Sequence, residues 1–289
     1  MTALAFNAGH AHYVPVGRDG EAEIFMHALH FPSRHHHHIS PTVVLVHGWP
    51  DCAYSWRAQV PALTAAGFGV VCVDLPGFGL SSCPRKVDAY TYENLCTYLS
   101  AVLDHLRVER AAFLGHDWGG MVVWHMAWRR PDRCCAVAAL CTPWRPPTRQ
   151  PLSPAAVARK LPFFQYQAYF QTAAAEEEFN RDPARSVLLM LHPPGTDGVA
   201  RAIGTQMRIA GLPVLVGDGG SADGAERRVH GVFDRVPPSV ATDALGGAHT
   251  SDADRLEYAT AFRRTGFGPG SLLVGKVCKS LLSVHAFNH

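Results

Sequence analysis

The stretch Ala111-Ala112-Phe113-Leu114-Gly115-His116-Asp117-Trp118-Gly119-Gly120 constrains this chain more than any other part of it. A short apolar run enters a tight turn flanked by glycines and leaves it in the helical pattern Met121 to Trp128, the layout of a nucleophile elbow. Small flanking residues let the backbone turn sharply enough to present one side chain above a parallel sheet, with the N-terminus of the next helix behind it. The usual form presents serine, and this chain presents Asp117. The exchange changes the chemistry. A carboxylate attacking an acyl carbon makes only a labile anhydride, but its attack on a saturated carbon bearing a leaving group makes an ester that water can later cleave. Epoxides and alkyl halides are the electrophiles to expect.

The neighbouring segments supply the sheet. Thr42 to Val46 is a continuous apolar run, as in a strand buried on both faces, and it ends in His47-Gly48-Trp49-Pro50-Asp51. A parallel sheet delivers such loops to one edge, so this turn should lie beside the elbow, with the N–H groups of Trp49 and Trp118 forming a pair of donors for developing negative charge. Gly69 to Leu75 reads as the next strand, closing in Asp74-Leu75-Pro76-Gly77-Phe78-Gly79. That Gly-x-Gly is no dinucleotide fingerprint, because Ser82 stands where the third glycine would be. From Thr91, Leu95, Leu99, Val102, Leu103 and Leu106 form one helical stripe, and Cys134 to Cys141 is a further strand. Tyr13 to Gly17 and Ala22 to His30 read as antiparallel strands around the turn Arg18-Asp19-Gly20. Alternating strand and helix predicts an α/β fold with a mostly parallel, doubly wound sheet and helices on both faces.

Composition narrows the function. A net charge of +2 and a pI near 8.2 give no basic stripe for nucleic acid. No long apolar run suits a membrane span and no leader pattern opens the chain, so a cytoplasmic protein is expected. The eight cysteines contain no Cys-x-x-Cys pair; Cys72, Cys134, Cys135 and Cys141 read as small buried hydrophobes, and disulfides are not needed. The run His35 to His38 belongs to seventeen histidines, yet consecutive histidines cannot converge on one ion and no His-Glu-x-x-His occurs. A solvated loop is expected there, with no metal and no cofactor. Gly270 to Lys276 imitates a phosphate loop, but Val277 replaces the Ser or Thr that would hold Mg²⁺.

Taken together, His47-Gly48-Trp49-Pro50-Asp51, Tyr54-Ser55-Trp56-Arg57, Asp74 to Ser82, Gly115 to Gly120 and Thr142-Pro143 resemble the α/β-hydrolase-fold epoxide hydrolases of the soluble type. The resemblance runs from the N-terminus to about Phe267. It implies a hydrolase core over 1–145, an inserted helical cap over 146–267, and a tail over 268–289 without counterpart. It also implies roles: Asp117 as nucleophile, and His47, Trp49, Pro50 and Trp118 around the oxyanion and substrate. Pro162 to Gln171 resembles the cap segment carrying a substrate-binding tyrosine, with Tyr166 at the matching position and Tyr169 as a spare. Chemistry agrees, since the epoxide oxygen leaves as an alkoxide that a phenol can protonate.

Pro193 to Thr250 is Gly-, Ala-, Pro- and Asp-rich and is assigned no structure, and Gly211 to Val216 fits loop as well as strand. A helix should start after Ser251, with Asp254 in capping position and Leu256, Ala259 and Phe262 on its apolar face, and end at Gly266. Beyond Phe267 the family would continue with a second cap tyrosine, two core strands, an acid and a histidine. This chain instead reads Gly268-Pro269-Gly270-Ser271-Leu272-Leu273-Val274 and onward to His289, and neither His285 nor His289 has the family's surroundings. The sequence thus predicts missing C-terminal core strands, from an alternative transcript or an incomplete gene model, an open edge at Cys134–Cys141, and an ester on Asp117 that hydrolyses slowly. The expected partners are a small epoxide and water. Two alternatives remain: a haloalkane or haloacid dehalogenase, which shares the Asp-Trp elbow but has no use for Tyr166, and a non-catalytic ligand-binding member of the fold.

Overall fold

The uncharged run Thr42–Val46 forms strand β3, and all five of its residues are buried, as are all five of the next strand, Gly69–Val73 (β4). Strands covered on both faces need no polar alternation, which is why both read as unbroken apolar runs. They belong to a computed structural model that describes residues 9–33, 41–144, 172–191 and 250–268, with Phe6, Tyr166, Tyr169, Phe170, Pro213–Val216, Glu226–Val229, 231–233 and Val236. The remaining strands of the main sheet are β1 (His10–Asp19), β2 (Ala22–Phe31), β5 (Ala111–His116) and β6 (Cys134–Leu140), in the order β1-β2-β4-β3-β5-β6. β3 pairs in parallel with β4 and β5, β5 with β6, while β1 and β2 form an antiparallel hairpin joined antiparallel to β4.

The connections explain where the site lies. From β3 the chain passes through the 3-10 turn Ala53–Ala58 and helix α1 (Gln59–Ala65) to β4 on one side. From β4 it returns through α2 (Tyr92–His105) to β5 on the other side of β3, and on through α3 (Trp118–Arg129) to β6. Right-handed crossovers running in opposite directions put α1 on one face and α2 with α3 on the other. The reversal falls between β3 and β5, so a crevice opens at their carboxyl ends, where the His47 and Asp117 turns emerge.

Helices α4 (Ala173–Asn180), α5 (Pro183–Met190) and α6 (Asp252–Thr265) form a separate packed group in which α5 touches both α4 and α6. Ser251 caps α6 and exchanges hydrogen bonds with Asp254 as a capping box. The α6 stripe needs correction: Leu256 is 63% exposed, and Tyr258 joins Ala259 and Phe262 on the buried face. Pro213–Val216 is a strand, β7, paired with β8 (Glu226–Val229). Two of the four cysteines expected inside are outside: Cys72 and Cys134 are buried, whereas Cys135 and Cys141 are exposed because β6 is the last strand of the sheet among the described residues. No helix among the described residues is long and apolar enough to cross a membrane. The run His35–His38, the tail from Pro269 with His285 and His289, and Pro193–Thr250 apart from the short pieces named above lie outside the described residues.

Candidate active site

The elbow is held in a conformation that side chains rarely adopt. Asp117 has φ 52° and ψ −120°, directly before α3, and its carbonyl accepts from the N–H groups of Gly120 at 2.9 Å and Met121 at 3.3 Å. From the β6 side the Asp117 N–H donates to the Leu140 carbonyl at 3.2 Å, and the Thr142 hydroxyl donates to the Asp117 carbonyl at 2.8 Å. Strain of this kind persists only where neighbours fix the backbone on both flanks. Gly48 meets the elbow so closely that a Cβ there would lie 2.5 Å from the Asp117 Cβ, so the His47–Asp51 loop lies flush against the Asp117 turn.

That contact brings the Trp49 N–H to 3.0 Å from Asp117 Oδ1. Burial raises the Asp117 pKa, while hydrogen bonds from the Trp49 and Trp118 amides oppose it and favour the carboxylate. Both amides therefore serve the carboxyl group itself, not an oxygen leaving from a distant carbon. On an ester of Asp117 the same amides would face its acyl oxygen.

His47 is fully buried and has no nitrogen left for a substrate: Nδ1–H donates to the Gly48 carbonyl at 2.8 Å and Nε2 accepts from the Leu75 N–H at 3.0 Å. Its pKa is lowered, chiefly by burial. The ring pins the end of β3 to the end of β4 and corrects the expectation of a substrate-binding residue. Pro50 is buried, and the Trp49–Pro50 peptide is cis.

Aromatic rings cover this edge. Trp49 stands 4.5 Å from Phe170, 5.9 Å from Phe179 and 6.3 Å from Phe267 between ring centroids, and Phe170 packs against Tyr166 at 5.3 Å. The Trp49 indole N–H is buried with no partner among the described residues. Tyr166 is part-buried within the same cluster. The hydroxyl of Tyr169 is committed elsewhere: it donates to Glu178 at 2.9 Å, and Tyr169 is 2% exposed. Its expected place as a spare substrate-binding phenol is corrected, because Glu178 also accepts from the N–H groups of Val232 and Phe233 and so ties three segments together.

Residues 41–254 match the family described as alpha/beta hydrolase fold. The chain belongs to the α/β-hydrolase fold family. Epoxide hydrolase A of Mycobacterium tuberculosis is 37% identical to it over 235 residues, which are 80% of this chain and 65% of that protein. Bifunctional epoxide hydrolase 2 of Mus musculus is 44% identical over 147 residues, or 50% of this chain. That stretch is 26% of the mouse protein, so the chain spans about a quarter of that relative's length. The crystal structure of epoxide hydrolase A from Mycobacterium thermoresistibile matches with a TM-score of 0.71 at 31% identity, covering 94% of this chain and 76% of that one.

Several polar residues of this α/β hydrolase escaped the sequence reading. Asp74 is buried and accepts from His27 Nδ1 at 2.8 Å, Ala53 N–H at 2.7 Å and Leu80 N–H at 2.9 Å. Burial alone would raise its pKa, but His27 and the other partners bring it below the ordinary value. His27 is the histidine found paired with a carboxylate among the described residues, and it lies on β2, three places from β5 in the sheet. Asp51 accepts from Tyr258, and Asp254 accepts from Tyr54 at 2.7 Å and from Arg57 Nε at 2.7 Å, so α6 is bonded twice to the segment after β3. Asp51 and Tyr54 stood inside quoted motifs, but nothing in a linear pattern pairs either with a residue some two hundred positions away.

Proposed function

We propose that this α/β hydrolase opens epoxides through a covalent ester on Asp117, the hydrolase core lying over 1–145 and a cap over 146–267. Oδ1 is held by the Trp49 amide, and the other carboxylate oxygen attacks an epoxide carbon. The carbon–oxygen bond of the ring breaks as the ester bond forms, and Tyr166 gives its phenol proton to the departing alkoxide. Water then adds to the acyl carbon of the ester while the Trp49 and Trp118 amides stabilise the oxyanion. Collapse expels the diol oxygen, which takes one proton of the added water, and the other returns to the Tyr166 phenolate, leaving the Asp117 carboxylate and a vicinal diol. The observation that carries this reading is a carboxylate at a strained strand-to-helix turn with amide donors already on it. The relatives, named as epoxide hydrolases, support the substrate class. The free thiols among the described cysteines fit a reducing cytosol.

The second half-reaction needs a base, and loss of one typically costs about 10² to 10⁴ in rate. Among the described residues the histidine paired with a carboxylate, His27, lies on β2 away from β5, and under this proposal the ester outlasts its formation. Intact-mass measurement after exposure to styrene oxide should therefore show one added substrate mass on the wild type and none on Asp117→Asn. Tyr166→Phe should slow its appearance by about 10²-fold or more. An unmodified wild type without diol release would overturn the proposal, and bromide release from alkyl bromides without diol from epoxides would transfer it to a dehalogenase.

A further inference from the structure

Asp51 takes no part in the chemistry described above, yet it is an ionisable group one turn from the nucleophile's donor. Its N–H donates to the Gly48 carbonyl at 3.2 Å, closing the turn Gly48-Trp49-Pro50-Asp51, and the Trp49 amide within that turn is the one on Asp117 Oδ1. The Asp51 carboxyl is gripped by donors from two directions. From its own segment, Oδ1 accepts from the Cys52 N–H at 2.9 Å, while the nearby Ser55 hydroxyl gives its proton to the Cys52 carbonyl at 2.9 Å. From α6, the Tyr258 hydroxyl donates to the same oxygen at 3.0 Å.

We infer that Asp51 is a positioning residue for Asp117: its carboxylate, held by the Cys52 N–H and the Tyr258 hydroxyl, sets the turn that aims the Trp49 N–H at Asp117. This rests on the proposed role of Asp117. Both groups bonded to the carboxyl are donors, so the arrangement suits the anion. A proton added to Asp51 removes the charge from both hydrogen bonds on Oδ1, slackens the hold of Cys52 and Tyr258 on the turn, and weakens the Trp49 contact two residues away.

The charges facing Asp51 are few. Arg57 is the nearby cation, and its Nε is already paired with Asp254. Tyr258 and the Cys52 thiol both have raised pKa values, chiefly from burial, and stay protonated donors and neutral neighbours. Burial outweighs the hydrogen bonds and Arg57, and pushes the Asp51 pKa up to about 7. The positioning device therefore changes state in the neutral range.

The test compares the rate of Asp117 alkylation by styrene oxide in wild type and Asp51→Asn from pH 5.5 to 8.5, read by intact mass. Taking the ratio at each pH removes what the two proteins share and keeps what Asp51 changes, whether in the attack itself or in the ionisation of Asp117. The ratio should be near one at pH 5.5, where Asp51 is protonated in the wild type. It should rise to about tenfold at pH 8.5, below the hundredfold that a 1 Å misplacement can cost. Tyr258→Phe removes one donor to the anion, so its curve should keep the rise but shift to higher pH. A ratio that is constant across pH, whatever its size, makes Asp51 merely structural and overturns the inference.

A second readout needs no reaction. With the Trp49 backbone amide labelled, NMR should show a pH-dependent step of its signal through the neutral range in the wild type that Asp51→Asn lacks, because only an ionisable Asp51 changes the turn there. If no epoxide alkylates the wild type, the proposed reaction fails while this titration still decides the positioning role. A Trp49 amide signal with the same pH profile in both proteins overturns that role even where alkylation succeeds.

Discussion

Asp117 concentrates two destabilising features at one position, a φ of 52° and a carboxyl whose ionisation burial disfavours. They can be separated. Between the ordinary aspartate pKa and the raised folded value, the folded state holds a proton that the unfolded state has lost, so stability falls as pH rises through that window and then levels. Asp117→Asn removes that dependence, so its advantage over the wild type should be absent near pH 3, grow through the window and persist at pH 8. Asp117→Gly should add about 1 to 3 kcal/mol by releasing the backbone strain as well. Thermal and urea unfolding across pH measure both, and equal stability of the two variants would remove the strain argument. The strained turn at Asp117 was legible because an elbow is written in five consecutive residues. His47 and Tyr169 were not, since a side chain's partners decide whether it is a tool or a tie, and those partners are Leu75 and Glu178.

Elements followed local pattern where one face or both are buried, and departed from it where tertiary contact chose the face. β3 was readable to the residue, because an unbroken apolar run between a proline and a histidine admits little else. The α6 cap was readable too, with Ser251 and Asp254 reciprocally bonded. Its face was not, since Leu256, Ala259 and Phe262 make a plausible stripe until Tyr258 is drawn inward by Asp51 and Tyr54. The Ser251 cap predicts a modest effect: Ser251→Ala should destabilise by about 1 kcal/mol in urea unfolding. Asp254 keeps Tyr54 and Arg57 in that variant, so Asp254→Ala, which strips the donors of their acceptor, should cost more. A Ser251→Ala loss as large as that of Asp254→Ala would mean that the helix start, not its bonds to the 54–57 segment, secures α6.

Across the whole molecule, the two sheet edges are treated differently. β1, at one edge, carries Pro15, a register shift between Pro15 and Gly17, His10 and His12, and the pair Arg18 and Asp19. Each of these discourages pairing with another chain. β6, at the other edge, reads Cys-Cys-Ala-Val-Ala-Ala-Leu with no charge, proline or glycine, and Cys135, Ala136, Ala138 and Leu140 are exposed. Trp144, just beyond it, is 45% exposed. A strand whose sequence suits a covered position, standing at an edge among the described residues, is where association should begin. Ala138→Lys places a charge in that row, and its site is already exposed, so it should reduce concentration-dependent assembly in light scattering while leaving the unfolding midpoint within about 0.5 kcal/mol of wild type. Tyr13→Lys, on the guarded edge and at a residue 55% exposed, should leave assembly unchanged. Equal relief from both would mean that added charge, not the β6 edge, governs solubility. Relief from Ala138→Lys alone locates the contact on β6, whose Leu140 carbonyl also holds the Asp117 N–H. Assembly through that strand would then bear directly on the backbone of the Asp117 turn.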